Sequence, residues 1–355
     1  MNSDALYHNA KKIATLCHEN NIRLVAVTKV LCGNPEIANI YLEAGADAIG
    51  DSRIQNIIRM KENGVKGPFM LIRIPMISEI PYVVENVDVI LVSEIGTLKE
   101  ISKYASKMRK KQKVLYMVDV GDLREGVWYP KAVDEIIEAA SISSIELYGI
   151  GTNLGCYGGV IPDEDRMNVL IEVAKAVGKK GVRVNVISGG NTAAIQLIEN
   201  GTLPSAINEY RIGEAIALGT DITNGKTFSF LRQDTFVLES EVVEVKVKPS
   251  VPQGKIGKDS MGRTPHFEDK GMRLKAIVAL GEQDIASDGV IPTEKGIEVL
   301  HASSDHMVLD VTECKREIKV GDTVKFNLKY SALLRAMTST YVEKIWNESD
   351  RQKEN

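Results

Sequence analysis

The chain has 355 residues, 44% of them hydrophobic and 26% charged, and a formal net charge of -4 at pH 7. That fits a globular protein with room for one large domain and a smaller one, and the weak negative charge offers nothing to nucleic acid or an anionic membrane. Four scattered cysteines (Cys17, Cys32, Cys156, Cys314) lack C-x-x-C spacing, which argues against a disulfide framework or a metal centre. Met1-Asn2-Ser3-Asp4 opens no signal peptide and no apolar run reaches membrane-span length, so the cytosol is the default compartment.

Residues 4–20 read as a helix, with Leu6, Ile13, Leu16 and Cys17 at roughly helical spacing. The run Leu24-Val25-Ala26-Val27-Thr28 is short, apolar and β-branched, the mark of a buried strand. Similar runs follow at 47–50, 69–73, 87–92, 114–118, 147–151, 182–187 and 207–212, with helical patterns at 36–43, 54–62, 98–110, 131–140, 166–177 and 193–199. This α/β alternation predicts a closed TIM-type (β/α)8 barrel over residues 1–225. A doubly wound open sheet would need a Gly-rich fingerprint after its first strand, and Thr28-Lys29-Val30-Leu31 is not one.

Beyond about residue 225 the pattern changes. Val243, Val245 and Val247 alternate with Glu244, Lys246 and Lys248, and strands of the same style are expected at 272–280, 297–311 and 323–330. Residues 226–355 therefore read as a separate, mostly β domain. Its segment 254–270, rich in Gly, Lys and Asp, reads as a long loop, and the charged tail 347–355 as frayed.

In a barrel, reactive groups belong at the C-terminal ends of the strands. The first strand ends on Lys29. Partial burial favours the neutral amine of a lysine, which condenses with carbonyls; the bland alternative is a lysine leaving the strand for solvent. Ser188-Gly189-Gly190-Asn191-Thr192, after the seventh strand, lets backbone N–H groups approach an anion, with the Thr192 hydroxyl at the start of the next helix. Arg211-Ile212-Gly213-Glu214 repeats the arrangement after the eighth, and barrels commonly build phosphate sites from these two loops. A phosphate grip combined with a carbonyl-condensing lysine points to pyridoxal 5'-phosphate.

At these residues the chain resembles the alanine racemase family, the barrel-type pyridoxal-phosphate enzymes, and most of all its ornithine racemase branch. Val25-Ala26-Val27-Thr28-Lys29 is similar to the family's cofactor-lysine strand. DVGDLREG at 119–126 is similar to its D-x-G-x-x-R-x-G motif, which implies that Arg124 approaches the cofactor and the substrate carboxylate. Asn191-Thr192-Ala193-Ala194 resembles the family's phosphate-binding Asn-Ser-Ala-Ala, and Arg211-Ile212-Gly213 resembles R-x-G, whose arginine faces the pyridine nitrogen. The implied cofactor set is Lys29, Arg124, Asn153, Ser188, Gly190, Asn191, Thr192, Arg211, Gly213 and Glu214. ASSDHMVLDVT at 302–312 resembles the second domain's substrate-contacting strand, which implies Asp305 as an acceptor for a cationic substrate end. Asp305 and His306, adjacent on that strand, should point to opposite faces. Asp51 and Glu214 are further acceptors at the barrel mouth. A guanidinium does not readily give its proton to the ring nitrogen, so Arg211 weakens the electron sink and favours prompt reprotonation at Cα over transamination.

The chain also departs from the family. The ring-stacking histidine after the sixth strand is Asn153, and Cys32-Gly33 stand where a phosphate-touching tyrosine is expected. The second-domain tyrosine that moves a proton falls at Met261, so a second base is needed, and Asp259 and His266 are the loop's candidates, with Cys156 and Tyr157 as others. Asp259 would share a face with Met261 if the segment is extended. A strand usually precedes the first helix in this family; here either the start is truncated or the second domain lacks one strand.

The resemblance implies a racemase of a basic amino acid (ornithine or lysine) working by Cα proton abstraction, in a homodimer whose second domains complete the partners' sites. Three alternatives stay open: a racemase of alanine or other small amino acids, a decarboxylase of basic amino acids, and a non-catalytic pyridoxal-phosphate binding protein. A decarboxylase would carry an acidic residue where Arg211 stands, and the binding proteins lack a second domain. His8 and His18 read as surface or packing residues, Arg53 and Arg73 as carboxylate binders or structural ion pairs, and Met60, Met70 and Met76 as core filler.

Overall fold

The computed structural model describes residues 1–347, so the tail expectation lies outside it except at Asn347, whose N–H donates to the Met1 carbonyl at 2.8 Å. The described residues form two compact units, Ser3–Gln233 and a second made of Met1–Asn2 with Asp234 onward. Among them no helix is long and apolar enough to cross a membrane.

In the first unit eight parallel strands close on themselves: β1 (Arg23–Val27), β2 (Ala48–Asp51), β3 (Phe69–Leu71), β4 (Val89–Val92), β5 (Gln112–Asp119), β6 (Ile145–Gly151), β7 (Val186–Ser188) and β8 (Glu209–Ile212). Each pairs with the next, and β8 returns to β1 in a register running from Arg23↔Glu209 to Ala26↔Ile212. Strands covered on both faces must be apolar throughout, which is why they read as continuous runs. Val25, Ala48, Met70, Val89, Leu91, Leu115 and Met117 fill the interior. Arg23, two residues before Val25, shares its inward face.

The helices are α1 (Ser3–Glu19), α2 (Pro35–Glu43), α3 (Ile54–Glu62), α4 (Ile80–Asn86), α5 (Ile95–Lys107), α6 (Ala132–Ser141), α7 (Glu164–Lys179), α8 (Ile195–Glu199) and α9 (Glu214–Leu218). Asn34 and Asp163 cap α2 and α7, accepting from Ile37 N at 3.1 Å and Arg166 N at 2.7 Å. The sequence pattern misses α4 and α9. Each is too short to show a helical period, and α4 opens on Ile80-Pro81 and carries a β-branched Val83-Val84 pair. Met60 and Met70 are core residues, but Met76 is half exposed and fills nothing.

The second unit is a six-stranded antiparallel sheet with one helix. In chain order its strands are β9 (Val237–Pro249), β10 (Met272–Val278), β11 (Val290–Pro292), β12 (Glu298–Ala302), β13 (Met307–Asp310) and β14 (Thr323–Leu328), arranged β11-β14-β9-β10-β13-β12. The long β9 serves two neighbours, β14 along its first half and β10 along its second, with a register shift between Val242 and Glu244. Met1 and Asn2 belong here through the Asn2 N–H to the Thr235 carbonyl at 2.9 Å.

Two expectations fail in this unit. Residues 297–311 are not one strand but a hairpin, because Ser303 and Ser304 start a turn in which Ser303 N–H bonds the His306 carbonyl at 2.8 Å. The predicted strand 323–330 stops at Leu328, and Tyr330 opens the helix α10 (Tyr330–Thr338), which buries Ala332, Leu333, Ala336 and Met337 at helical spacing.

Candidate active site

β1 ends at Val27, and Lys29 is the first residue of a single 3-10 turn, Lys29–Leu31, rather than the tip of the strand. Thr28 makes the break at φ -94°, ψ 0°, and its hydroxyl donates to Asp51 Oδ2 at 2.8 Å. Asp51 has no exposed surface and also accepts from Arg53 N at 2.9 Å and Asn56 Nδ2 at 3.0 Å. Burial pushes its carboxyl upward, against the pull of those bonds. It is an internal buttress for the Thr28-Lys29 turn, so the expectation of a mouth acceptor for substrate is wrong.

Arg211 is the hub of the site. It is 4% exposed, and its Nη1 donates to Ser188 Oγ while its Nη2 donates to the Thr152 carbonyl at 2.6 Å and to Asn153 Oδ1 at 2.9 Å. Asn153 in turn donates to Glu125, which also pairs with Arg124, Nη2 to Oε1 at 2.6 Å. Arg124, Asn153, Ser188 and Arg211 are thus one connected network. Glu125, a variable position of the motif, is its link; the signal in the sequence is a carboxylate directly following the motif arginine. Desolvation works against charging Glu125, but the Arg124 guanidinium and the Asn153 amide hold its carboxyl below the usual range. Burial lowers Arg211, opposed by the more distant carboxylates of Glu209 and Glu125.

The loops after β7 and β8 are stitched together. Thr192 Oγ1 accepts from Ala215 N at 3.2 Å, and the Gly190 carbonyl accepts from Arg211 N at 2.9 Å. Gly190 has φ +121°, a value an L side chain rarely adopts. A Cβ on Gly213 would come within 3.1 Å of Val27 Cβ, a tight contact that glycine avoids where this loop lies against the end of β1. Asn191 caps the turn, accepting from Ala193 N at 3.0 Å, and reaches the loop after β6 through the Leu154 carbonyl at 2.8 Å and Cys156 Sγ at 3.3 Å. Glu214 turns away instead, accepting from Thr220 Oγ1 at 2.8 Å and Ile222 N at 2.9 Å, and burial pushes its carboxyl up to about 7.

The loop after β6 is pinned to the loop after β5 by Asp122, whose buried carboxylate accepts from the N–H groups of Cys156, Tyr157 and Val160 at 3.2, 2.8 and 3.3 Å. The Cys156 thiol is exposed there, within electrostatic reach of Arg124 and Lys29.

Asp259, His266 and Asp305 lie in the second unit. Asp259 is not on an extended segment. It closes a turn, accepting from Met261 N at 2.9 Å and Arg263 N at 2.7 Å, and it binds Arg263 Nε and His301 Nε2, each at 2.8 Å. Desolvation raises its carboxyl, but the Arg263 and backbone bonds prevail and hold it at about 2, a poor match for a base working near neutrality. His266 is exposed in the same loop. Asp305 and His306 sit in the hairpin turn and touch each other, Oδ1 to Nδ1 at 3.0 Å, so the opposite-face expectation does not hold. His18 pairs with Asp47 at 2.9 Å and Arg73 with Glu79 at 2.8 Å, both ordinary structural contacts.

The family described as "Alanine racemase, N-terminal domain" matches residues 1–221. The lysine racemase of Thermotoga maritima is 49% identical over 350 residues, covering 98% of each chain. This chain belongs to the alanine racemase family. The ornithine racemase of Acetoanaerobium sticklandii is 40% identical over 341 residues, 96% of each chain. The crystal structure of alanine racemase from Streptomyces lavendulae matches at a TM-score of 0.76 and 17% identity, covering 100% of this chain and 98% of that one, a likeness of fold.

As in the alanine racemase family generally, the cofactor is pyridoxal 5'-phosphate. The residues at the barrel mouth fit it. Thr152 Oγ1 is buried there with no hydrogen-bond partner among the described residues, beside a guanidinium whose direct contacts are all neutral oxygens. Gly190 and Gly213 put no side chain over the backbone of these two loops, as an approaching phosphate requires.

Proposed function

We propose that this protein interconverts the L- and D-enantiomers of a basic amino acid, lysine or ornithine. The observation that carries this reading is the 49% and 40% identity, over nearly the whole chain, to enzymes bearing those two names. Bound at the barrel mouth, pyridoxal phosphate supplies a carbonyl for the substrate's amino group and spreads the electron pair left when the Cα proton departs.

The chain's own residues do the rest. The Lys29 amine holds the cofactor and takes the Cα proton on one face. Arg124, braced by Glu125, orients the substrate carboxylate bidentately. Gly190, Asn191, Thr192, Gly213 and the start of α9 hold the phosphate. Arg211, fixed by Ser188, Thr152 and Asn153, would stand at the ring nitrogen, where a guanidinium that does not readily release its proton would disfavour protonation. The second proton group comes from the second domain of a partner copy in a homodimer. Leu123, Tyr157, Ile161 and Ile222, each at least half exposed on the mouth loops, form the apolar rim such a partner would cover.

The test is deuterium incorporation at Cα in heavy water across a panel of L- and D-amino acids. Exchange with inversion is expected for lysine or ornithine and should vanish in Lys29→Ala. Inversion confined to alanine would overturn the basic-substrate reading, and exchange without inversion would overturn the racemase.

A further inference from the structure

Below Arg211, deeper in the barrel, lies a charged layer that the reaction as described leaves unused. Glu209 opens β8 two residues before Arg211, so both side chains face inward. It is 0% exposed, yet among the described residues its only side-chain partner is a hydroxyl: Tyr148 on β6 donates to Oε2 at 2.7 Å, and Oε1 has no hydrogen-bond partner. Arg23, its register neighbour on β1, carries a buried Nε that is also unpartnered. A buried carboxylate held by a neutral hydroxyl is destabilising unless positive charge stands near. Arg211 presents the complementary problem, a buried guanidinium bonded only to Ser188 Oγ, the Thr152 carbonyl and Asn153 Oδ1.

We infer that Glu209 is the counter-charge of Arg211, a positioning residue held by Tyr148 that, together with Arg23 below it, sets the field Arg211 exerts at the cofactor ring. The inference rests on the proposed placing of Arg211 against that ring. The charge felt there is then that of a column, Arg23–Glu209–Arg211, rather than of one arginine. The other titratable groups around Arg211 are Glu125, Cys156 and Arg124, and those around the Tyr148–Glu209 pair are Arg23 and Asp47. None of them lies between Glu209 and Arg211 on their strand.

The holoenzyme tests this through the pH midpoint of the bound cofactor's visible absorbance. Removing the negative charge in Glu209→Gln leaves the ring under a more positive field, so protonated forms are disfavoured and the midpoint falls by about half a unit or more. Glu209→Asp keeps the charge and is expected to stay near wild type, which a packing role would not allow. Arg23→Gln removes the cation on the other side and should move the midpoint upward; it also decides the matter if Glu209→Gln does not fold. Glu85→Gln, exposed on the outer helix α4, should move nothing. An unmoved midpoint in Glu209→Gln, or shifts of the same sign in Glu209→Gln and Arg23→Gln, overturns the inference while leaving the cofactor reading intact. A wild-type protein with no visible chromophore overturns both.

Discussion

At the scale of single residues, the site's chemistry depends on which side chains hold Arg124 and Arg211 in place. Glu125 and Asn153 join the two arginines into one unit, and each has a partner on both sides. Asn153 makes sense of a departure from the family, since an amide both accepts from Arg211 and donates to Glu125. A protonated histidine would bring a further positive charge into a site that already holds Arg124, Arg211 and Lys29. Glu214 yields a pH prediction. Its folded-state carboxyl lies at about 7, above the ordinary 4.5, because burial disfavours the charged form. The protonated form therefore favours the fold: this contribution is complete below pH 4.5 and is lost as pH rises through about 7. Glu214→Gln keeps the oxygen that accepts from Thr220 and Ile222 and cannot ionise. Its melting temperature should match wild type at pH 4.5 and exceed it by roughly 2–4 °C at pH 8. Equal melting temperatures at both pH values would show that Glu214 does not titrate there.

At the scale of elements, the parallel strands were legible and several connections were not. All eight barrel strands show in the sequence because burial on both faces demands apolar runs, and the loops after β7 and β8 show because close backbone approach demands glycine. The turn of the hairpin was marked by the polar run Ser303-Ser304-Asp305-His306, but the likeness of 302–312 to a single family strand carried the expected strand through it. Glu209 and Asp122 were invisible for a different reason. Their roles come from partners 61 and 34 to 38 residues away, which no local pattern encodes. Asp122 is the easier to test. Asp122→Ala removes the acceptor for three N–H groups of the loop after β6 and should destabilise that loop by about 2 kcal/mol. Hydrogen exchange at Cys156, Tyr157 and Val160 should speed up by at least about tenfold while the strands stay protected. Unchanged exchange at those three amides would show that the loop is held by other contacts.

At the scale of the whole molecule, the chain forms a barrel unit that carries Lys29 and a separate β unit. The barrel carries the residues proposed to grip the phosphate, both arginines and Lys29; the second proton group is proposed to arrive from a partner copy. Light scattering should accordingly return a particle of about twice 39.0 kDa, and a monomer at working concentration would contradict the shared-site reading. The claim beneath all of this is that Lys29 bonds covalently to pyridoxal phosphate. Borohydride reduction of the purified holoprotein, followed by peptide mass mapping, tests it most directly. The account expects a pyridoxyl phosphate adduct on the peptide containing Lys29 and none in Lys29→Ala. An adduct on another lysine, or an unlabelled Lys29 in protein that holds the cofactor, would contradict it.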